Sequence, residues 1–116
     1  DKDGNEWSFA LKLKINDQNE ETQPLATALY ENYPNPFNPS TTIRYSLSEN
    51  LHTNVVVYNT LGQTVRTLVN EHVTAGMHTI EWDGRNDLGQ KVSSGMYIYK
   101  LTAGSYVSTK RMMLIE

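Results

Sequence analysis

The sequence predicts an all-β fold, a seven-stranded antiparallel β-sandwich beginning near Leu29, with a polar linker and one extra N-terminal strand ahead of it. Three observations predict it. Short segments rich in β-branched and aromatic residues recur at the spacing of a sandwich. Turn residues punctuate them. No window carries a helical apolar stripe. The 116 residues fit one domain of this kind. Area scaling has such a chain hide roughly two thirds of its unfolded surface, enough for a core without staples.

The elements follow in order. Trp7, Phe9, Leu11, Leu13 and Ile15 alternate with Ser8, Ala10, Lys12 and Lys14, the period of a strand with one buried face. Asn16 to Ala28 is polar and aperiodic, which predicts a linker. Residues 1–15 are therefore expected to be the last strand of a preceding domain, 16–28 the linker and 29–116 the sandwich. Ile43, Tyr45 and Leu47 alternate with Arg44 and Ser46. Val55 to Tyr58 is a β-branched run, and Val65 to Val69 continues after Asn59-Thr60-Leu61-Gly62, where Gly62 suits a type I turn closed by a left-handed residue. His78, Ile80 and Trp82 share one face, with Thr79 and Glu81 on the other. After a long polar loop, Tyr97, Tyr99 and Leu101 pair with Val107 to Ile115 across Ala103-Gly104-Ser105 as a terminal hairpin.

Three of the four prolines lie in Tyr33-Pro34-Asn35-Pro36-Phe37-Asn38-Pro39-Ser40. Proline removes a backbone donor and fixes φ, so the stretch must be extended and belongs at an edge or at a crossing between sheets. Asn35 and Asn38 are expected to bond local backbone and so replace missing ladder bonds, and Tyr33 and Phe37 to lock the segment onto the core. Pro36-x-x-Pro39 has the outline of a polyproline ligand but lacks a flanking basic residue.

Composition excludes several functions. Hydrophobic residues make up 38% and charged residues 20%, a soluble globular balance. No apolar run reaches the roughly 18 residues of a spanning helix, and no leader opens at Asp1, so any secretion signal is expected upstream. The net charge of -3 gives phosphate backbones no counterion-release advantage, so nucleic acid is not an expected partner. The chain has no Cys, which removes disulfides, thiolate nucleophiles and thiolate metal sites together.

Chemistry-bearing patterns are sparse. Asp1-Lys2-Asp3-Gly4-Asn5-Glu6 resembles the start of a calcium loop, but an EF-hand needs glycine sixth and glutamate twelfth, where this chain has Glu6 and Lys12. Asp3-Gly4 reads better as a hairpin turn into the strand that follows. Asp83 and Asp87 flank Gly84-Arg85-Asn86 and could act as an acid–base pair or hold a metal; Asx turns are the plainer reading. His52, His72 and His78 lack ligand spacing. Gly-x-Ser-x-Gly, His-Glu-x-x-His and a phosphate-binding glycine loop are absent. No catalytic residue, cofactor or metal is expected. Seven Tyr, two Trp and two Phe allow a sugar-binding reading, against which stands the usual use of strand aromatics as core and cross-strand pairs.

Five segments in order carry a resemblance: Tyr33-Pro34-Asn35-Pro36-Phe37-Asn38-Pro39, Tyr58-Asn59-Thr60-Leu61-Gly62-Gln63, Trp82-Asp83-Gly84-Arg85-Asn86-Asp87, Ser94-Gly95-Met96-Tyr97, and Lys110 to Glu116. Together they resemble the C-terminal sorting domain of type IX secretion cargo over about residues 29–116. The Trp82–Gly95 loop and its flanking strands are also similar to the immunoglobulin-like domain of flagellar hook-capping proteins. The resemblance implies an immunoglobulin-like sandwich that follows a cargo domain and directs it through the outer membrane to the cell surface or medium, after transit through the periplasm. The implied partners are the type IX translocon and its outer-membrane shuttle, a surface sortase-like protease and the upstream cargo domain. Gly95, Tyr97, Lys110, Leu114 and Ile115 match the positions at which recognition is expected. Tyr33, Pro34, Asn35, Pro36, Phe37, Gly62, Trp82, Asp83 and Gly84 match structural motif positions. Two rival readings are a structural subunit that self-associates by exchanging Trp7–Ile15 and a carbohydrate-binding module.

Overall fold

A computed structural model describes residues 25–115, and among them the chain forms seven strands and no helix. These are β1 (Ala28–Leu29), β2 (Thr41–Leu47), β3 (Leu51–Tyr58), β4 (Thr64–Val73), β5 (Gly76–Trp82), β6 (Gly95–Ala103) and β7 (Tyr106–Leu114). They build a three-stranded sheet, β1-β2-β5, and a four-stranded sheet, β4-β3-β6-β7, in which every pairing is antiparallel. This is the immunoglobulin-like sandwich in a variant where β4 pairs with β3, whereas constant-type immunoglobulin domains keep the fourth strand in the opposite sheet. The expected strand Trp7–Ile15, the turn at Asp3-Gly4 and most of the linker lie outside the described residues.

Alternation builds the core. Ile43, Tyr45 and Leu47 of β2 face Val55 and Val57 of β3, Tyr97, Tyr99 and Leu101 of β6, and Met112 and Leu114 of β7, all buried in one cluster. Each large apolar side chain withdrawn this way contributes about 1.5–3 kcal/mol. Ser46 breaks the alternation yet is buried, because its hydroxyl donates to the Ala26 carbonyl at 2.6 Å. Thr27 Oγ1 accepts from Ser48 N–H at 2.9 Å. The sandwich therefore takes in Ala26–Ala28, three residues that the polarity of the preceding stretch had assigned to the linker.

β4 extends past the Val65–Val69 run, because Asn70, Glu71 and His72 stay paired with β3 up to Leu51 opposite Val73. Ladder bonds to a neighbour override weak local propensity there. Gly62 has φ 82° and donates to the Asn59 carbonyl at 3.0 Å, as the turn signal predicts. A second copy of that turn follows in the long loop. Asn59-Thr60-Leu61-Gly62-Gln63 and Asn86-Asp87-Leu88-Gly89-Gln90 share one bonding pattern, in which the asparagine Oδ1 accepts from the leucine and glutamine N–H groups at 2.9–3.0 Å.

Tyr99 is wholly buried and its hydroxyl donates to the Tyr30 carbonyl at 2.8 Å. Burial, outweighing the Asn32 backbone N–H that favours the phenolate and helped by the Glu31 carboxylate, pushes its phenol up to about 12. The folded protein thus holds this proton more tightly than the unfolded chain. The resulting stabilisation is complete below pH about 10 and is lost between about 10 and 12. Urea unfolding at pH about 9 and about 11 is expected to show a loss of roughly 1–2 kcal/mol from this group that Tyr99→Phe removes, leaving the part due to Tyr45, whose phenol burial also raises.

Candidate functional site

The motif segments, spread along the sequence, meet at one pole of the sandwich. The proline segment is the crossing between the sheets. Tyr33 bridges Thr42 at the three-stranded sheet, and Phe37 bridges Leu114 in parallel at the four-stranded sheet. Phe37 N–H donates to the Met113 carbonyl at 2.9 Å and its carbonyl accepts from Ile115 N–H at 3.0 Å. Asn35 supplies a further clip, its Oδ1 accepting from Met113 N–H at 3.0 Å. That bond spans 78 positions rather than being local. Phe37 is buried, but Tyr33 is 81% exposed, so only Phe37 locks the segment to the core. Tyr33 is held by its backbone, and its position at the sheet margin points the ring into solvent.

Phe37 packs on Trp82 with ring centroids 5.5 Å apart, and Trp82 meets the edge of Tyr97 at 5.3 Å. Trp82 Nε1–H donates to the Arg85 carbonyl at 2.9 Å, which satisfies the one polar atom of a fully buried indole. Gly84 has φ 75°, and a Cβ there would lie 3.3 Å from the Pro39 carbonyl oxygen and 3.8 Å from the Leu114 methyls. The glycine is what lets the loop settle onto both segments. Gly95 opens β6 opposite Leu114, and Tyr97 lies opposite Met112. Tyr97 hydroxyl donates to the Ser93 carbonyl at 2.6 Å. Gly95 has φ 145°, so Gly95→Ala is expected to cost about 1–3 kcal/mol, read as a lower urea midpoint, although nothing crowds the site.

Of the five residues at which recognition is expected, the structure gathers four, Gly95, Tyr97, Leu114 and Ile115, at this pole. Tyr97 and Leu114 are buried and so position the strand, while Ile115 is 48% exposed. Lys110 lies further along β7, opposite Tyr99, where its Nζ meets Glu31 Oε2 at 3.2 Å.

Both acids of the long loop are engaged in bonds within the fold. Asp83 Oδ1 accepts from Arg85 N–H at 3.2 Å, an Asx turn. Asp87 instead ties the loop to β4, accepting from Thr67 N–H at 3.0 Å. Arg66 sits between them, 3.7 Å from Asp83 and 3.9 Å from Asp87. His52 bonds Asn70 at 2.9 Å and His78 bonds the Thr74 carbonyl at 2.7 Å while stacking on Tyr45. No group of three metal-ligating side chains occurs among the described residues. Among them, too, Tyr33 is the one aromatic that stands largely in solvent.

The sequence reading missed the Arg66 clamp and the Asn35 clip, which join residues far apart in the chain and leave no local signal. It also missed the second turn, whose signal, Asn-x-Leu-Gly-Gln repeated, was present.

The model of the FlgD Ig-like domain family matches residues 38–106. Comparison with curated protein sequences finds no match. Among solved structures, the chain is similar to PorZ of Porphyromonas gingivalis, described as an essential bacterial surface component of the type IX secretion system. That similarity has 23% identity and a TM-score of 0.55, and covers 76% of this chain and 11% of PorZ. The chain is likewise similar to dimeric latent PorU of the same organism, at 24% identity and a TM-score of 0.63, covering 77% of this chain and 9% of PorU. At these identities the likeness establishes the fold.

Proposed function

The chain belongs to the FlgD Ig-like domain family, and from that footing we propose that the sandwich domain, residues 29–116 together with the Ala26–Ala28 residues bonded to it, forms a non-catalytic sorting module. It directs an attached cargo domain through the outer membrane by type IX secretion to the cell surface or medium. The observation that carries the reading is the closing hairpin. β7 is an edge strand clipped at its end by Phe37 and Asn35; Ile115 follows it at the pole where the motif residues meet, and Lys110 and Arg111 stand further along it. Such a strand is read by its backbone edge and side-chain pattern, which needs no bond-making chemistry. The role of PorZ in type IX secretion supports this setting. The use of Asp83, Asp87 and His78 in turns, ion pairs and stacking supports the absence of catalysis.

The translocon, its outer-membrane shuttle and a surface protease are the proposed partners, and the polar stretch Asn16 to Ala28, short of the Ala26–Ala28 residues that bond to β2 and Ser48, is the proposed region of cleavage. Removing Lys110 to Glu116 from a cargo fusion in a bacterium that secretes by this route is expected to leave the cargo in the periplasm. Undiminished export of the truncated fusion would refute the reading.

A further inference from the structure

We propose that the Val107–Arg111 stretch of β7 is a docking edge that takes, by strand addition, an acidic extended segment of a partner protein. The inference deepens the sorting reading and rests on it for biological setting, but the binding itself is a property of the purified chain.

The bonds to Phe37 fix which way β7 points. The Met113 carbonyl and the Ile115 N–H both face away from β6. Direction alternates along a regular antiparallel strand, and the β6–β7 register has no shift. The backbone groups of Val107, Thr109 and Arg111 therefore face outward as well. Among the described residues nothing bonds to them; the proline segment stops at Met113. Phe37 is already a one-residue strand addition, and the edge beyond it continues open. A cleft of about 510 Å³ runs alongside, lined by Glu31, Asn35, Met96 and the β7 residues from Thr109 to Met113.

Charge selects the occupant. The chain as a whole carries a net charge of -3, yet β3, β6 and β7 contain no Asp or Glu. On the face of the four-stranded sheet turned away from the core, Lys100 and Arg111 stand on neighbouring strands among Val56, Ile98 and Met113. Arg111 is exposed and has no ion-pair partner among the described residues. A strand added to β7 places alternate side chains on this face, where carboxylates meet both cations. A lipid surface would answer the charge but not the row of backbone donors and acceptors.

The test uses the full chain and a peptide of about eight residues alternating glutamate and valine, long enough to span the open edge. Amide exchange and chemical shifts read the site. Binding is expected to protect the Val107, Thr109 and Arg111 N–H groups. Thr109→Pro removes one outward donor without touching the β6 ladder and is expected to abolish binding while melting cooperatively. Lys100→Glu with Arg111→Glu is expected to weaken binding about tenfold, the size of two exposed charge pairs. A lysine–valine peptide is expected not to bind. Four results would each overturn the proposal: undiminished binding by Thr109→Pro, equal binding of the basic peptide, prior protection of the three amides by the chain's own N-terminal segment, or binding to anionic phospholipid vesicles with none to the peptide. An export defect plays no part in this test, so its failure leaves the sorting reading to stand or fall on the truncated fusion.

Discussion

Trp82→Ala lowers the unfolding free energy by about 3–5 kcal/mol, the range for deleting a buried aromatic. Trp82 is fully buried, packs between Phe37 and Tyr97, and closes its loop through the bond to the Arg85 carbonyl. The substitution leaves a cavity where the two sheets and the long loop converge and leaves that carbonyl without its donor. Against the 5–15 kcal/mol typical of a domain, this loss leaves a protein that melts far lower or not cooperatively at all. Urea denaturation followed by tyrosine and near-ultraviolet signals checks it; a loss under about 1 kcal/mol would show that the pole collapses around the vacancy.

Phe37→Ala is the second large effect, about 3–4 kcal/mol by the same burial argument. Its consequence differs in kind. Phe37 is the hydrophobic anchor of a segment that three prolines keep out of any regular strand. Without it, the clips on Met113 and Ile115 rest on the Phe37 backbone bonds and the Asn35 side chain, with no buried ring to hold them. Faster amide exchange at Met113 and Ile115 is therefore expected, with Ile98 and Lys100 protected as before. The rings of Phe37 and Trp82 touch, so the double substitution is expected to cost less than the sum, by about 0.5–1.5 kcal/mol. Additive losses would mean that the two rings contribute separately.

Most of the architecture was legible because burial in a sandwich writes itself as period two. Ile43-x-Tyr45-x-Leu47, Tyr97-x-Tyr99-x-Leu101 and His78-x-Ile80-x-Trp82 each declare a face, and the structure buries or half-buries each of them. Prolines announce where a ladder must stop, which placed the 33–40 segment at the crossing between sheets. What stayed hidden depends on partners distant in sequence. The outward turn of Tyr33, the extension of β4 through Asn70-Glu71-His72, and the Ser46 bond that draws Ala26 into the sandwich are all set by what lies across a sheet. The candidate site was legible in the same uneven way. Its motifs could be found one by one, but that Gly84 rests against Leu114 and Pro39, or that Tyr97 and Leu114 are buried where Lys110 and Ile115 are reachable, is geometry alone.

The sorting account is tested most directly by the fraction of a reporter that reaches the medium when this chain is fused behind it with Lys110→Glu and Ile115→Ser. Neither side chain belongs to the buried core, and exchanging the exposed Lys110–Glu31 pair for two carboxylates is expected to cost about 1 kcal/mol or less, so the variant is expected to fold. Recognition through the exposed part of β7 predicts that export falls at least about tenfold, as a lost interface anchor of 1.4 kcal/mol or more would produce, and that folded reporter accumulates in the periplasm. Export of the variant at the parent's level would contradict it.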